Sequence, residues 1–292
     1  MTGLPFQPLI IVGAGRSGTN MLRDALTALD GFETWPCDEI NPIWRHGNLD
    51  WPNDAIPPEQ ADRALTFIRD AFMRLWRAKG RPGVIVEKTC ANSLRVPFVA
   101  AVLPEAKFVH IVRDGRDVVA SASKRWRGEM ELPTLPYYAA KIRWTPVRDL
   151  PRYGLAFLRN RVAMALHDER RMSVWGPRFD GMDEMQRAGV PLTDLCLAQW
   201  IACVSAADEG IRNLPPSKAL TLRYEDVSAD PVSSVRAILN MVGAERSDDA
   251  LAEATAAVSG TSVGKGRHMM DRNAAHLAAA MSPLLLRFGY GD

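Results

Sequence analysis

Apolar residues occur in two periodicities along this chain, and their alternation sets the fold class. Short unbroken runs at Leu9 to Val12, Val84 to Val86, Lys107 to Val112 and Ala219 to Arg223 have the length and β-branched content of buried parallel strands. Between them, apolar positions recur at three- and four-residue intervals. Met21, Leu22, Ala25, Leu26 and Leu29 mark a first helix, and Pro58 to Lys79 predicts a second that closes at Gly80 behind basic residues. Thr193 to Leu214, with Leu195, Ala198, Trp200, Ile201 and Ala202, predicts a core helix; another starts at Pro231, and Asp249 to Val258 and Ala274 to Phe288 predict packing helices. Strands alternating with helices fold as α/β, with a central, mostly parallel sheet flanked by helices.

Two stretches break the pattern. Asp30 to Pro57 is a long connection rich in proline and tryptophan, and long irregular segments in compact domains are functional or mobile. Its start, Gly31 to Glu39, holds a proline and no apolar run, so no strand is expected there. Trp35, Trp44 and Trp51 either pin this loop to the core or line a pocket. The second stretch, about 127–192, loses periodicity among Pro133, Pro136, Pro146 and Pro151, with one helix expected over Leu155 to Arg170. We expect a single domain over 1–292 with an insertion at about 127–192.

Composition narrows the function classes. With 36 Lys and Arg against 34 acids, the net charge of +2 gives no basis for nucleic-acid binding, so any positive potential is local. Cys37, Cys90, Cys196 and Cys203 show no metal-ligand spacing and read as core thiols of a reducing compartment. No stretch reaches the length of a membrane span, and the first apolar run is a strand; a cytoplasmic location is expected.

Candidate chemistry begins after the first strand. Gly13, Gly15 and Gly18 form a turn leading into the first helix, an arrangement that points backbone N–H groups and a helix N-terminus at an anion. Gly13-Ala14-Gly15-Arg16-Ser17-Gly18 satisfies the dinucleotide fingerprint, but a second strand ending in an acid about 20 residues on is missing. A Walker A loop needs Gly-Lys-Ser/Thr, whereas Gly18 is followed by Thr19 and Asn20, and the cation, Arg16, lies earlier. Far downstream, the strand Lys107 to Val112 ends on Arg113, and Ser121 lies eight residues further along the next helix. A cation at a strand end and a hydroxyl on a helix flank make a second anion site.

These two stretches together resemble the sulfotransferases that use 3'-phosphoadenosine 5'-phosphosulfate. Arg16-Ser17-Gly18-Thr19 is similar to their 5'-phosphosulfate loop, with Gly15 where the family often has proline and Asn20 in place of a second threonine; Arg113 and Ser121 match the spacing of their 3'-phosphate site. The resemblance implies a sulfotransferase fold akin in layout to P-loop kinases, transfer of a sulfuryl group to a hydroxyl or amine acceptor, and an acceptor-binding role for the insertion at about 127–192. Gly15, Arg16, Ser17, Gly18, Thr19 and Asn20 would hold the 5'-phosphosulfate, Arg113 and Ser121 the 3'-phosphate. No metal is implied. Lys88, at the end of the Val84 strand, matches the lysine beside the transferred group. Glu39 matches the general base of the tyrosylprotein branch; otherwise it is a solvated loop acid or an ion-pair partner, with Asp38 and His46 as nearby substitutes. Lys265, Gly266 and Arg267 correspond to the basic loop that closes the family's nucleotide site, or form a surface turn. Asn92 and Arg95 are expected to support the site, and the carboxylate of Glu225 to fix loops. His110, between two apolar strand residues, reads as hydrogen-bonded core. A small molecule, carbohydrate, lipid or peptide all remain open as the acceptor, as does the oligomeric state. A nucleotide kinase, a nicotinamide oxidoreductase and a non-catalytic nucleotide-binding protein are the competing classes.

Overall fold

The computed structural model describes residues 3–127, 135–155, 158, 175–266 and 275–291. Five strands, β1 (Gln7–Val12), β2 (Phe32–Thr34), β3 (Val84–Lys88), β4 (Lys107–Val112) and β5 (Ala219–Arg223), form one sheet in the order β2-β3-β1-β4-β5, and every pairing is parallel. The described helices are α1 (Thr19–Thr27), α2 (Asn41–Trp44), α3 (Leu65–Ala78), α4 (Val96–Val102), α5 (Gly115–Trp126), α6 (Leu135–Trp144), α7 (Met182–Arg187), α8 (Leu192–Arg212), α9 (Tyr224–Ala229), α10 (Pro231–Val242), α11 (Asp248–Thr255) and α12 (Ala275–Arg287).

Strand pleating sorts the core into layers, because successive side chains point to opposite faces. Ile10, Val12, Ile85 and Phe108 pack on one face with Ile68 and Phe72 of α3 and Phe98 and Val99 of α4. Leu9, Ile11, Val86 and Val109 face the other way, against Leu22 and Leu26 of α1 and Ile238 and Leu239 of α10. A third apolar cluster joins α5, α8 and α12 beyond Val112. There Trp200 lies against Gly115, where a Cβ would come within 2.9 Å of the indole.

β1 sits between β3 and β4, so the turn after β1, the end of β3 and the end of β4 are neighbours. In open parallel sheets the crevice outside the strand ends, where the chain switches sides, is where ligands bind. Of the expected elements, α1 and β5 appear with the bounds read from the pattern or within a residue or two of them. Pro58 to Lys79 is instead a 3-10 turn, Pro58–Arg63, followed by α3. The break lets the turn dock on the preceding loop, with Asn48 Nδ2 donating to the Gln60 carbonyl. β2, where no strand was expected, is a three-residue edge strand paired to β3. The helix expected over Leu155 to Arg170 lies almost wholly outside the described residues.

Candidate active site

The glycine turn is shaped for an anion. Gly18 has φ 88°, and a Cβ there would lie 2.3 Å from the ring of Tyr224. Arg16 also adopts a left-handed conformation, φ 75°. Ser17 is fully buried, and its hydroxyl has no hydrogen-bond partner among the described residues, which is rare for a buried hydroxyl. Thr19 opens α1, 3.7 Å from the Cys90 sulfur, and Asn20 is exposed. Trp175 covers Gly15, where a Cβ would meet the indole at 3.1 Å.

Arg16 does not remain at the turn. Its Nε donates to Ser121 Oγ at 2.9 Å, and Arg113 donates to the Arg16 carbonyl at 3.1 Å. Arg113, the residue after β4, and Ser121 on α5, eight residues apart, are therefore linked through Arg16. Burial, and then the charges of Arg125 and Arg113 nearby, pull the Arg16 guanidinium below its ordinary value. Arg113 also donates to the Ser262 carbonyl at 2.6 Å and stacks 4.3 Å over the Tyr224 ring. Gly264 and Gly266 donate their N–H groups to Asp117 at 2.7 and 2.6 Å, and Asp117 pairs with Arg113 at 3.3 Å. The loop holding Lys265 thus folds against the strand-end arginine rather than standing off as a surface turn. Gly266 is required by that approach, since a Cβ would lie 2.2 Å from the Arg116 carbonyl oxygen. Lys265 is exposed, and Arg267 lies outside the described residues.

Lys88 ends β3 with 2% of its surface exposed, its Nζ 2.7 Å from Asp38 and 3.2 Å from Glu39. Burial opposes the charge on Lys88, but Glu39 and Asp38 outweigh it and raise its pKa above the usual lysine range. Asp38 is held low: burial works against its charge, and Lys88 with Arg23 overcomes it. Asp38 is thereby fixed between two cations, and His46 is engaged with Asp149 at 2.9 Å, which leaves Glu39 as the carboxylate with Lys88 alone as its ion-pair partner among the described residues.

Other expectations resolve as packing. Trp35 and Trp44 are buried against Phe72 in the core, so they pin the loop. Glu225 fixes loops as expected, accepting from the Asp114 N–H at 3.2 Å and the Tyr290 hydroxyl at 2.6 Å. His110 is fully buried, and among the described residues neither ring nitrogen has a hydrogen-bond partner; burial pushes its pKa down to about 4. The four cysteines are buried and free. No described helix is long and apolar enough to cross a membrane, and the described residues contain no metal-ligand cluster.

A buried polar network behind Lys88 was not legible in the sequence. Asn92 and Arg95 belong to it, with Glu87, Thr89, Asn41, Arg45 and Asp54. Glu87 in a strand looks like any surface acid until its 1% exposure is seen; the dense polar run Glu87-Lys88-Thr89 at a strand end, and the supporting role expected of Asn92 and Arg95, hinted at it.

Residues 8–152 match the family model described as the sulfotransferase family. Among curated proteins, the chain is 22% identical over 177 residues to the omega-hydroxy-beta-dihydromenaquinone-9 sulfotransferase of Mycobacterium bovis, a match covering 61% of this chain and 31% of that protein. The chain thus spans about a third of the length of the curated relatives it matches. Among solved structures, a sulfotransferase from Alicyclobacillus acidocaldarius superposes with a TM-score of 0.50 at 18% identity, covering 97% of this chain and 96% of that one. Sulfotransferase STF1 from Mycobacterium tuberculosis gives 0.51 at 12% identity, covering 96% and 77%. These likenesses show the shared fold.

Proposed function

Because the chain belongs to the sulfotransferase family, we propose that it transfers a sulfuryl group from 3'-phosphoadenosine 5'-phosphosulfate to an acceptor hydroxyl. The observation that carries this reading is the Arg16–Ser121 bond with Arg113 beside it, which draws two anion-binding segments into one. The residues suit such a donor: at a helix start stands a buried Ser17 hydroxyl with no partner among the described residues, and Arg16 and Arg113 lie beside it. The donor supplies an activated sulfuryl group on a phosphate leaving group.

In this reading Gly15, Ser17, Gly18, Thr19 and Asn20 hold the 5'-phosphosulfate through backbone N–H groups, hydroxyls and the Asn20 amide. Arg113, Ser121 and the loop of Lys265, Gly266 and Arg267 take the 3'-phosphate. Arg16 neutralises charge between the two ends. Lys88, a buried cation, stabilises negative charge as it grows on the leaving oxygen; preorganised groups of this kind are worth about 3 kcal/mol each in a transition state. Glu39 accepts the proton of the attacking hydroxyl.

The acceptor in this reading is an apolar alcohol bound by the segment at about 127–192. Support comes from Ile142, Val147 and Leu155, which expose more than half their surface there, and from the lipid substrate in the name of the mycobacterial relative. The four buried free thiols favour a reducing, cytoplasmic setting. The test is transfer of label from ³⁵S-labelled donor to a panel holding long-chain primary alcohols, a simple sugar and a tyrosine peptide. Labelled alcohol supports the proposal. Labelled sugar or peptide moves the acceptor class, and no label on any of them contradicts it.

A further inference from the structure

Thr89, the residue after Lys88, is fully buried. Its hydroxyl donates to Glu87 Oε1 at 2.5 Å and accepts the N–H of Ile40 at 3.1 Å. Ile40 directly follows Glu39, so the backbone carrying that carboxylate is tied to the end of β3. The chain of bonds continues. Asn92 Nδ2 donates to Glu87 Oε2 at 2.9 Å, Arg95 Nε donates to Asn92 Oδ1 at 2.8 Å, and Arg95 Nη2 donates to Asn41 Oδ1 at 2.6 Å. Ile40 and Asn41, consecutive residues after Glu39, are therefore gripped from both ends of one buried network.

Such a network is expensive for stability alone. A carboxyl at 1% exposure is costly, and burial raises the Glu87 pKa to about 7; apolar side chains of similar volume commonly serve a core as well or better. Its geometry does serve the site. Lys88 and Thr89 are adjacent, so their side chains leave the strand in opposite directions: Lys88 reaches the Glu39 carboxylate, and Thr89 anchors the backbone one residue on.

We infer that Thr89, backed by Glu87 and Asn92, is a positioning residue that sets the Glu39 carboxylate against Lys88 and the acceptor hydroxyl. The inference rests on reading Glu39 as the base.

The test uses the full chain, ³⁵S-labelled donor and water as the acceptor, so that no natural acceptor need be known. Release of labelled sulfate is measured for wild type, Thr89→Val, Thr89→Ser, Glu39→Gln and the Thr89→Val/Glu39→Gln double variant. Affinity for adenosine 3',5'-bisphosphate is measured on each. Thr89→Val is expected to lower the rate at least tenfold with bisphosphate affinity within twofold, and Thr89→Ser to restore it to within threefold. In the Glu39→Gln background, Thr89→Val is expected to have no further effect. Should Thr89→Val fail to fold, Thr89→Ala carries the same expectation. Wild-type rates in the Thr89 variants, with Glu39→Gln inactive, overturn this inference and leave the base reading standing. Equal loss from Thr89→Val with and without Glu39 also overturns it. Wild-type turnover by Glu39→Gln removes the base reading and this inference with it.

Discussion

Arg16 reaches Ser121 across 2.9 Å, and through that bond a turn near the start of the chain is joined to a helix 105 residues on. The left-handed backbone of Arg16, φ 75°, is what aims its guanidinium there. Any L-residue at this φ, arginine as much as alanine, carries about 1–2 kcal/mol of strain, whereas glycine adopts it freely. Arg16→Gly is therefore expected to lose at least tenfold in affinity for adenosine 3',5'-bisphosphate without a lower melting temperature. Arg16→Ala keeps the strain that Arg16 already bears, and is expected to lose the same affinity and to melt below Arg16→Gly. Calorimetric titration and thermal melts check both, and unchanged affinity in Arg16→Gly would remove Arg16 from the donor site.

Lys88 carries the prediction on chemistry. Lys88→Met keeps the length of the side chain and removes the cation that faces Glu39 and Asp38. Sulfuryl transfer is expected to fall about 100-fold, as for loss of one transition-state donor, while bisphosphate affinity changes less than threefold. Turnover within threefold of wild type would contradict the role given to Lys88.

Two glycines separate strain from collision. Gly18 and Gly181 have similar angles, φ 88° and 83°, but a Cβ at Gly18 meets Tyr224 at 2.3 Å, whereas nothing lies within 4 Å at Gly181. Gly181→Ala should cost about 1–2 kcal/mol. Gly18→Ala should cost clearly more and disturb Arg113 through the displaced Tyr224 ring. Chemical denaturation of the two variants tests this, and equal losses would show that the turn relaxes around the added methyl.

His110 predicts a specific acid sensitivity. Burial lowers its pKa from 6.5 to about 4, so folding favours the neutral ring. Its contribution is complete above pH 6.5 and is lost as the pH falls through 6.5 towards 4, a displacement worth about 3 kcal/mol. His110→Leu removes two unpartnered nitrogens from β4. The variant is expected to be as stable as wild type or more so at pH 7, and to lack this part of the decline below pH 6.5. Parallel denaturant titrations from pH 7 to pH 4 read the difference, and identical pH dependence in the two proteins would refute it.

What the sequence made legible was local. Gly18 and the Arg113–Ser121 spacing follow from residues within one strand–turn–helix unit, where backbone conformation and period decide the outcome. The contacts that join units were not readable. The Arg16 guanidinium turning to Ser121 depends on a φ that the letter R does not announce. The pairing of Lys88 with Glu39 and the Thr89 anchor on Ile40 each cross 49 residues. β2 was missed because three residues on an edge show no period. α6 was missed because Pro136 suggested irregular chain, although it sits in the first turn, where proline needs no donor.

Titration with adenosine 3',5'-bisphosphate beside AMP, on wild type and Arg113→Ala, tests the central claim most directly. The account predicts binding that is selective for the bisphosphate in wild type, with the selectivity lost in the variant. Equal affinity of wild type for the two nucleotides would contradict it, and the glycine turn would then have to be assigned to a ligand without a 3'-phosphate.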